Sequence, residues 1–130
     1  MSPEPVRLFF ALWPEAKLQQ TFYDAGLKLY QRCGGRRTRR ENIHLTLAFL
    51  GTVEADRMHP VIEVADQIRL PAFDMLFTRV GWWRQNQVAW AATDEAPRPL
   101  IDLVKQLQRA LSAEGFKFDE RRFQAHITLL

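Results

Sequence analysis

The sequence predicts an α+β fold: two small, mainly antiparallel sheets backed by helices, with a site in the cleft between them. Three observations carry this. Segments of strand and helix character alternate along the chain, in the order β-α-β-α-β-β-α-β-β. No strand is followed by a glycine-rich phosphate loop, which argues against a nucleotide-binding doubly wound sheet. A strand, a helix and a strand carrying His-x-Thr recur near each end of the chain, as two similar lobes would produce.

Each element has its own signature. Val6 to Leu12 (VRLFFAL) is a short apolar run closed by Trp13-Pro14, the pattern of a buried strand. Glu15 to Arg32 reads as a helix, because Leu18, Phe22, Ala25 and Leu29 recur at helical spacing and Gly34-Gly35 ends it. Arg36 to Asn42 is a basic loop. Asn42 to Leu50 is the first motif strand, closed by Gly51. Met58, Val61, Ile62, Ala65 and Ile68 mark a second helix, with Pro60 in its first turn. Phe73 to Val80 reads as a strand, Arg84-Gln85-Asn86 as a hairpin turn and Gln87 to Ala92 as the returning strand. Pro97 and Pro99 open a third helix whose Leu100, Leu103, Val104, Leu107 and Leu111 make one apolar stripe, and Gly115 stops it. Phe116 to Phe118 reads as a short strand, and Phe123 to Leu130 is the second motif strand.

The bulk numbers fit one domain over residues 1–130. An apolar share of 47% is enough for a real core. The net charge of +3 favours an anionic partner without requiring one. The single cysteine, Cys33, excludes a disulfide framework and a cysteine-based zinc cluster. No stretch has the length and hydropathy of a membrane span or a signal peptide, so a cytoplasmic protein is expected.

The most informative feature is a duplication. His44-Leu45-Thr46-Leu47 and His126-Ile127-Thr128-Leu129 say nearly the same thing twice, and they use two of the three histidines. In a strand, His44 and Thr46 share one face, while Ile43, Leu45, Leu47 and Phe49 share the other. The second copy turns Ile127 and Leu129 away from His126 and Thr128 in the same manner. Two imidazoles can supply a general base and a general acid in one step, because imidazole ordinarily titrates near about 6.5. Such a pair suits in-line displacement at phosphorus. Threonine hydroxyls on the same face can donate to the phosphoryl oxygens, which gain charge in the transition state. The scheme needs no metal or other cofactor, and the sequence offers no metal-ligand motif. The spacing alone leaves open which histidine does which job.

These residues carry a resemblance. The chain resembles the two-histidine (2H) phosphoesterases, and within them the bacterial RNA 2′,3′-cyclic phosphodiesterases, the LigT or ThpR type of 2′-5′ RNA ligase. The likeness starts at Arg7-Leu8-Phe9-Phe10-Ala11-Leu12. It continues through Glu41-Asn42-Ile43-His44-Leu45-Thr46-Leu47-Ala48-Phe49-Leu50-Gly51 and Val88-Ala89-Trp90 to Phe123-Gln124-Ala125-His126-Ile127-Thr128-Leu129. It implies a bilobal fold and hydrolysis of RNA 2′,3′-cyclic phosphate ends to 2′-phosphomonoesters, with reversible 2′-5′ joining in some members. It implies His44 as proton donor, His126 as proton acceptor, and Thr46 and Thr128 as ligands of the phosphoryl oxygens. Ala125 departs from the family's usual proline. Family members also continue past the second motif, so the chain is expected to be C-terminally incomplete. A monomer is the family's habit, and a strand-exchanged dimer is the alternative.

Arg36, Arg37, Arg39 and Arg40 before the first motif, and Arg121 with Arg122 before the second, are candidate contacts to RNA phosphates. Trp82 and Trp83 adjoin the hairpin turn, where an indole can stack a base or pack between lobes; Trp82 is the candidate RNA contact. His59, without a threonine partner, reads as a surface residue. Two alternatives stay open: a non-catalytic RNA-end-binding remnant, and a 2H phosphodiesterase acting on a small cyclic nucleotide.

Overall fold

The computed structural model describes residues 4–84, 87–120 and 123–130. Among them run β1 (Val6–Leu12), α1 (Ala16–Cys33), β2 (Leu45–Val53), α2 (Met58–Gln67), β3 (Arg79–Trp83), β4 (Val88–Ala92), α3 (Arg98–Ala113) and β5 (His126–Thr128). Short 3-10 turns at Arg40–Asn42 and Ala55–Arg57 lead into β2 and α2. The α+β class and the antiparallel pairing agree with the sequence. The expected pair of small sheets is corrected. The strands join in one five-stranded sheet, ordered β1-β2-β5-β4-β3. The reason is that the two motif strands pair with each other, Leu45 opposite Ile127. They lie side by side in one sheet instead of facing each other from two.

The chain divides into two compact units. The first comprises Met1–Phe10, Leu47–Met75 and Ala96–Phe123. Its core is built by helices. Pro97 caps α3 and Pro99 sits in its first turn, where a missing N–H costs nothing and the fixed φ suits the helix. Leu100, Val104, Leu107 and Leu111 then recur on one face, and all four are buried. Each such side chain contributes about 1.5–3 kcal/mol on leaving water. Helix α2 packs on α3 and buries Val61 and Val64, while Ile62 stays exposed. Pro60 falls in the first turn of α2, as expected.

The second unit comprises Ala11–Thr46, Leu76–Glu95 and Gln124–Leu130. Its core is the apolar side of the sheet: Ile43, Leu45, Ala89, Ala91, Ile127 and Leu129 are buried. Helix α1 approaches that side at Gly26, and its Phe22 is buried with its ring edge-on to Phe77. A Cβ on Gly26 would come within 3.2 Å of the Leu129 carbonyl oxygen, so glycine is what lets helix and strand approach.

Several boundaries differ from those the sequence suggests. Residues 73–78 are irregular, and β3 begins only at Arg79. The segment 116–118 forms no strand, although the Asp119 N–H donates to the Phe49 carbonyl at 3.0 Å. Gly51 does not end β2. It takes φ +75° and the strand continues to Val53. Just before it the alternation slips: Ala48 is buried and Phe49 is 37% exposed, its ring under the Arg7 guanidinium, instead of joining the aliphatic face. Strands β3 and β4 pair antiparallel, with Trp83 opposite Val88; of the expected turn residues, Gln85 and Asn86 lie outside the described residues.

Candidate active site

Strand periodicity and register place the motif side chains. In an antiparallel pair, opposed residues share a face. With Leu45 opposite Ile127, His44 stands across from Thr128 and Thr46 across from His126. The next strand extends both rows, since Trp90 opposes Thr128 and Ala92 opposes His126. Strand β3 completes them with Gly81 opposite Trp90 and Arg79 opposite Ala92. One face of this part of the sheet therefore carries two imidazoles and two threonine hydroxyls, all half-buried. The two histidines are diagonal neighbours. Such neighbours stand roughly 7–8 Å apart in a ladder, enough for one phosphoryl group between them.

Each imidazole is held in the same way. His44 Nδ1 lies 2.6 Å from the Asn42 carbonyl oxygen, and His126 Nδ1 lies 2.8 Å from the Gln124 carbonyl oxygen. A carbonyl can only accept, so in both rings Nδ1 carries the hydrogen and donates it. Proton exchange with a substrate is thereby left to Nε2 in both. His44 Nε2 lies 3.1 Å from Thr46 Oγ1. Each ring also meets an indole. Trp13 lies 4.8 Å from His44, tilted by 36°, and Trp83 lies 4.5 Å from His126, edge-on at 68°. Trp83 is in turn braced by Trp90, 5.5 Å away.

The arginines before the first motif separate into two groups. Arg37 is engaged: its guanidinium donates through Nη2 to the Tyr23 carbonyl at 3.0 Å and lies 3.9 Å from the Tyr23 ring centroid. It ties the loop to α1. Arg40 donates to Gln20 Oε1 at 3.0 Å but remains exposed, as do Arg36 and Arg39. Arg121 and Arg122 lie outside the described residues. Trp82 pairs with Ala89, so it belongs to the face opposite the imidazoles. Its neighbour Trp83 is the indole that reaches His126, which simple alternation through Gly81 and Arg79 could have signalled. Trp13 escaped the sequence reading because it sits in a connection with no periodicity. His59 is a surface residue paired with Glu63 at 3.0 Å. Among the described residues, no three His, Cys, Asp or Glu side chains come together as a metal site. No described helix is long and apolar enough to cross a membrane.

A 2H-type arrangement on an antiparallel sheet defines a class of phosphoesterase, and the comparisons agree. The chain matches the model of the LigT-like phosphoesterases over residues 12–90 and 91–130, and it belongs to that family. It is 35% identical to the RNA 2′,3′-cyclic phosphodiesterase of Escherichia coli K12, covering 98% of this chain and 72% of that one. It is 29% identical to the protein of the same name from Thermotoga maritima, covering 95% and 68%. The crystal structure of Escherichia coli LigT in apo form superposes with a TM-score of 0.89 at 35% identity, over 98% of this chain and 73% of that one.

Proposed function

We propose that the chain hydrolyses RNA 2′,3′-cyclic phosphate ends to 2′-phosphomonoesters, with His44 as general acid and His126 as general base. The observation that carries this is the pairing of two His-x-Thr strands whose imidazoles share a face and donate from Nδ1 to a carbonyl. His126 Nε2 takes a proton from water as the water oxygen bonds to phosphorus. The bond from phosphorus to the 3′ oxygen breaks, and His44 Nε2–H protonates that oxygen. Protonated His44 can rest with Nε2–H donating to Thr46 Oγ1, the contact seen at 3.1 Å. Thr46 and Thr128 hydroxyls donate to the non-bridging oxygens, where fixed donors contribute most as charge develops. With a 5′ hydroxyl in place of water, the same groups join it to the cyclic phosphate: the new P–O5′ bond forms as the bond to the 3′ oxygen breaks, giving a 2′-5′ bond, and the reverse step regenerates the cyclic phosphate. Exposed Arg36, Arg39 and Arg40 precede His44 and draw the RNA backbone in.

The names of the relatives support RNA as substrate, and a cytoplasmic setting fits a substrate of RNA ends. The test offers the protein a short RNA with a 2′,3′-cyclic phosphate end and, in parallel, free 2′,3′-cyclic AMP. The expected product is a 2′-phosphate, formed faster on RNA. A 3′-phosphate product, or equal turnover of the free nucleotide, would overturn the RNA assignment.

A further inference from the structure

The two indoles that touch the imidazoles differ in one respect. Trp83 is half-buried and fixed between Trp90 and His126. Trp13 is 53% exposed, yet its ring stays 4.8 Å from that of His44. A scattered exposed tryptophan is ordinary and assigns nothing. This one is in ring contact with the imidazole that serves the leaving oxygen. It sits in the short link between β1 and α1, and Pro14 follows it directly. Proline fixes its own φ and confines the residue before it to extended backbone, so the indole is presented with little ordering left to lose.

We propose that Trp13 is the platform on which the terminal base of the RNA stacks, a binding subsite that sets the preference for nucleotide over baseless substrates. This rests on the reading of the site given above. The geometry of the substrate suits it. The base hangs from C1′, two carbons from the C3′ that bears the leaving oxygen, so the base belongs on the His44 side. Every base has a π-face, so the platform tolerates any sequence and favours purines through their stronger stacking.

The test measures kcat and KM for wild type, Trp13→Ala and Trp13→Phe on two substrates. One is an RNA with a 2′,3′-cyclic phosphate end; the other is methyl ribofuranoside 2,3-cyclic phosphate, which has no base. On RNA, Trp13→Ala should lower kcat/KM roughly 5- to 150-fold, mostly through KM, with Trp13→Phe retaining most of it. On the baseless substrate Trp13→Ala should change little. An equal loss on both substrates would show that Trp13 acts only by propping His44, and no loss on either would remove it from the site; both outcomes overturn the proposal. If folded wild type turns over neither substrate, the hydrolytic reading fails first. Calorimetry with adenosine 2′-monophosphate and ribose 2-phosphate then decides. Tighter binding of the nucleotide that disappears in Trp13→Ala sustains the platform, and equal binding ends it.

Discussion

Two backbone carbonyls, those of Asn42 and Gln124, decide how each imidazole can act. They hold the hydrogen on Nδ1 and leave Nε2 as the other exchangeable position, as the proposed roles, one ring giving a proton while the other takes one, require. The hydroxyls beside them have a separate proposed role: Thr46→Val and Thr128→Val keep shape but remove the donor proposed for the phosphoryl group. Each should lower kcat about 10²-fold with a smaller change in KM, measured by steady-state kinetics. A larger effect on KM than on kcat would mean that the hydroxyls bind the ground state equally well. The arginines give a contrasting pair. Arg37 donates to the Tyr23 carbonyl and stacks on its ring, so Arg37→Ala should cost about 1–3 kcal/mol of stability in denaturant unfolding. Arg39 is exposed, and Arg39→Ala should leave stability within about 0.5 kcal/mol.

Strand parity decides which side chains meet in the site. On β3, residues 79, 81 and 83 share the imidazole face and residue 82 does not. Gly81 matters here because the Trp90 indole lies over it: a Cβ would run into the ring. Gly81→Ala should destabilise by about 1–3 kcal/mol and loosen the Trp90–Trp83–His126 stack, read as a lower Tm and a changed near-UV circular dichroism. An unchanged Tm and spectrum would show that the indole yields freely.

The same parity explains what was legible in advance. The motif residues could be placed on one face because period two is strict where the other face is buried, as Ile43, Leu45 and Ile127 are. Beginnings and ends of helices were legible from Pro97, Pro99 and the paired glycines, whose backbone needs are local. The joining of the motif strands was not legible, since Leu45 opposite Ile127 is a contact between distant parts of the chain. Trp13 was missed for a related reason. Its neighbour His44 is close in space through the connection before α1, and no sequence period reports that.

Across the whole molecule, the net charge of +3 and the exposed Arg36, Arg39 and Arg40 bias association toward a polyanion. Binding of RNA should weaken as salt rises, and Arg36→Ala or Arg39→Ala should each reduce the slope of log K against log salt by about 1 if the residue neutralises a phosphate. A slope that neither substitution moves would place the RNA backbone elsewhere on the surface.

The central claim, that two paired histidines perform acid–base hydrolysis at an RNA end, is tested most directly by one assay. Folded wild type, His44→Ala and His126→Ala are each given a short RNA with a 2′,3′-cyclic phosphate end in the presence of EDTA. The account predicts a 2′-phosphate product from wild type and a loss of about 10²–10⁴-fold in each variant. Turnover that survives in either variant, or that EDTA removes from wild type, would contradict it.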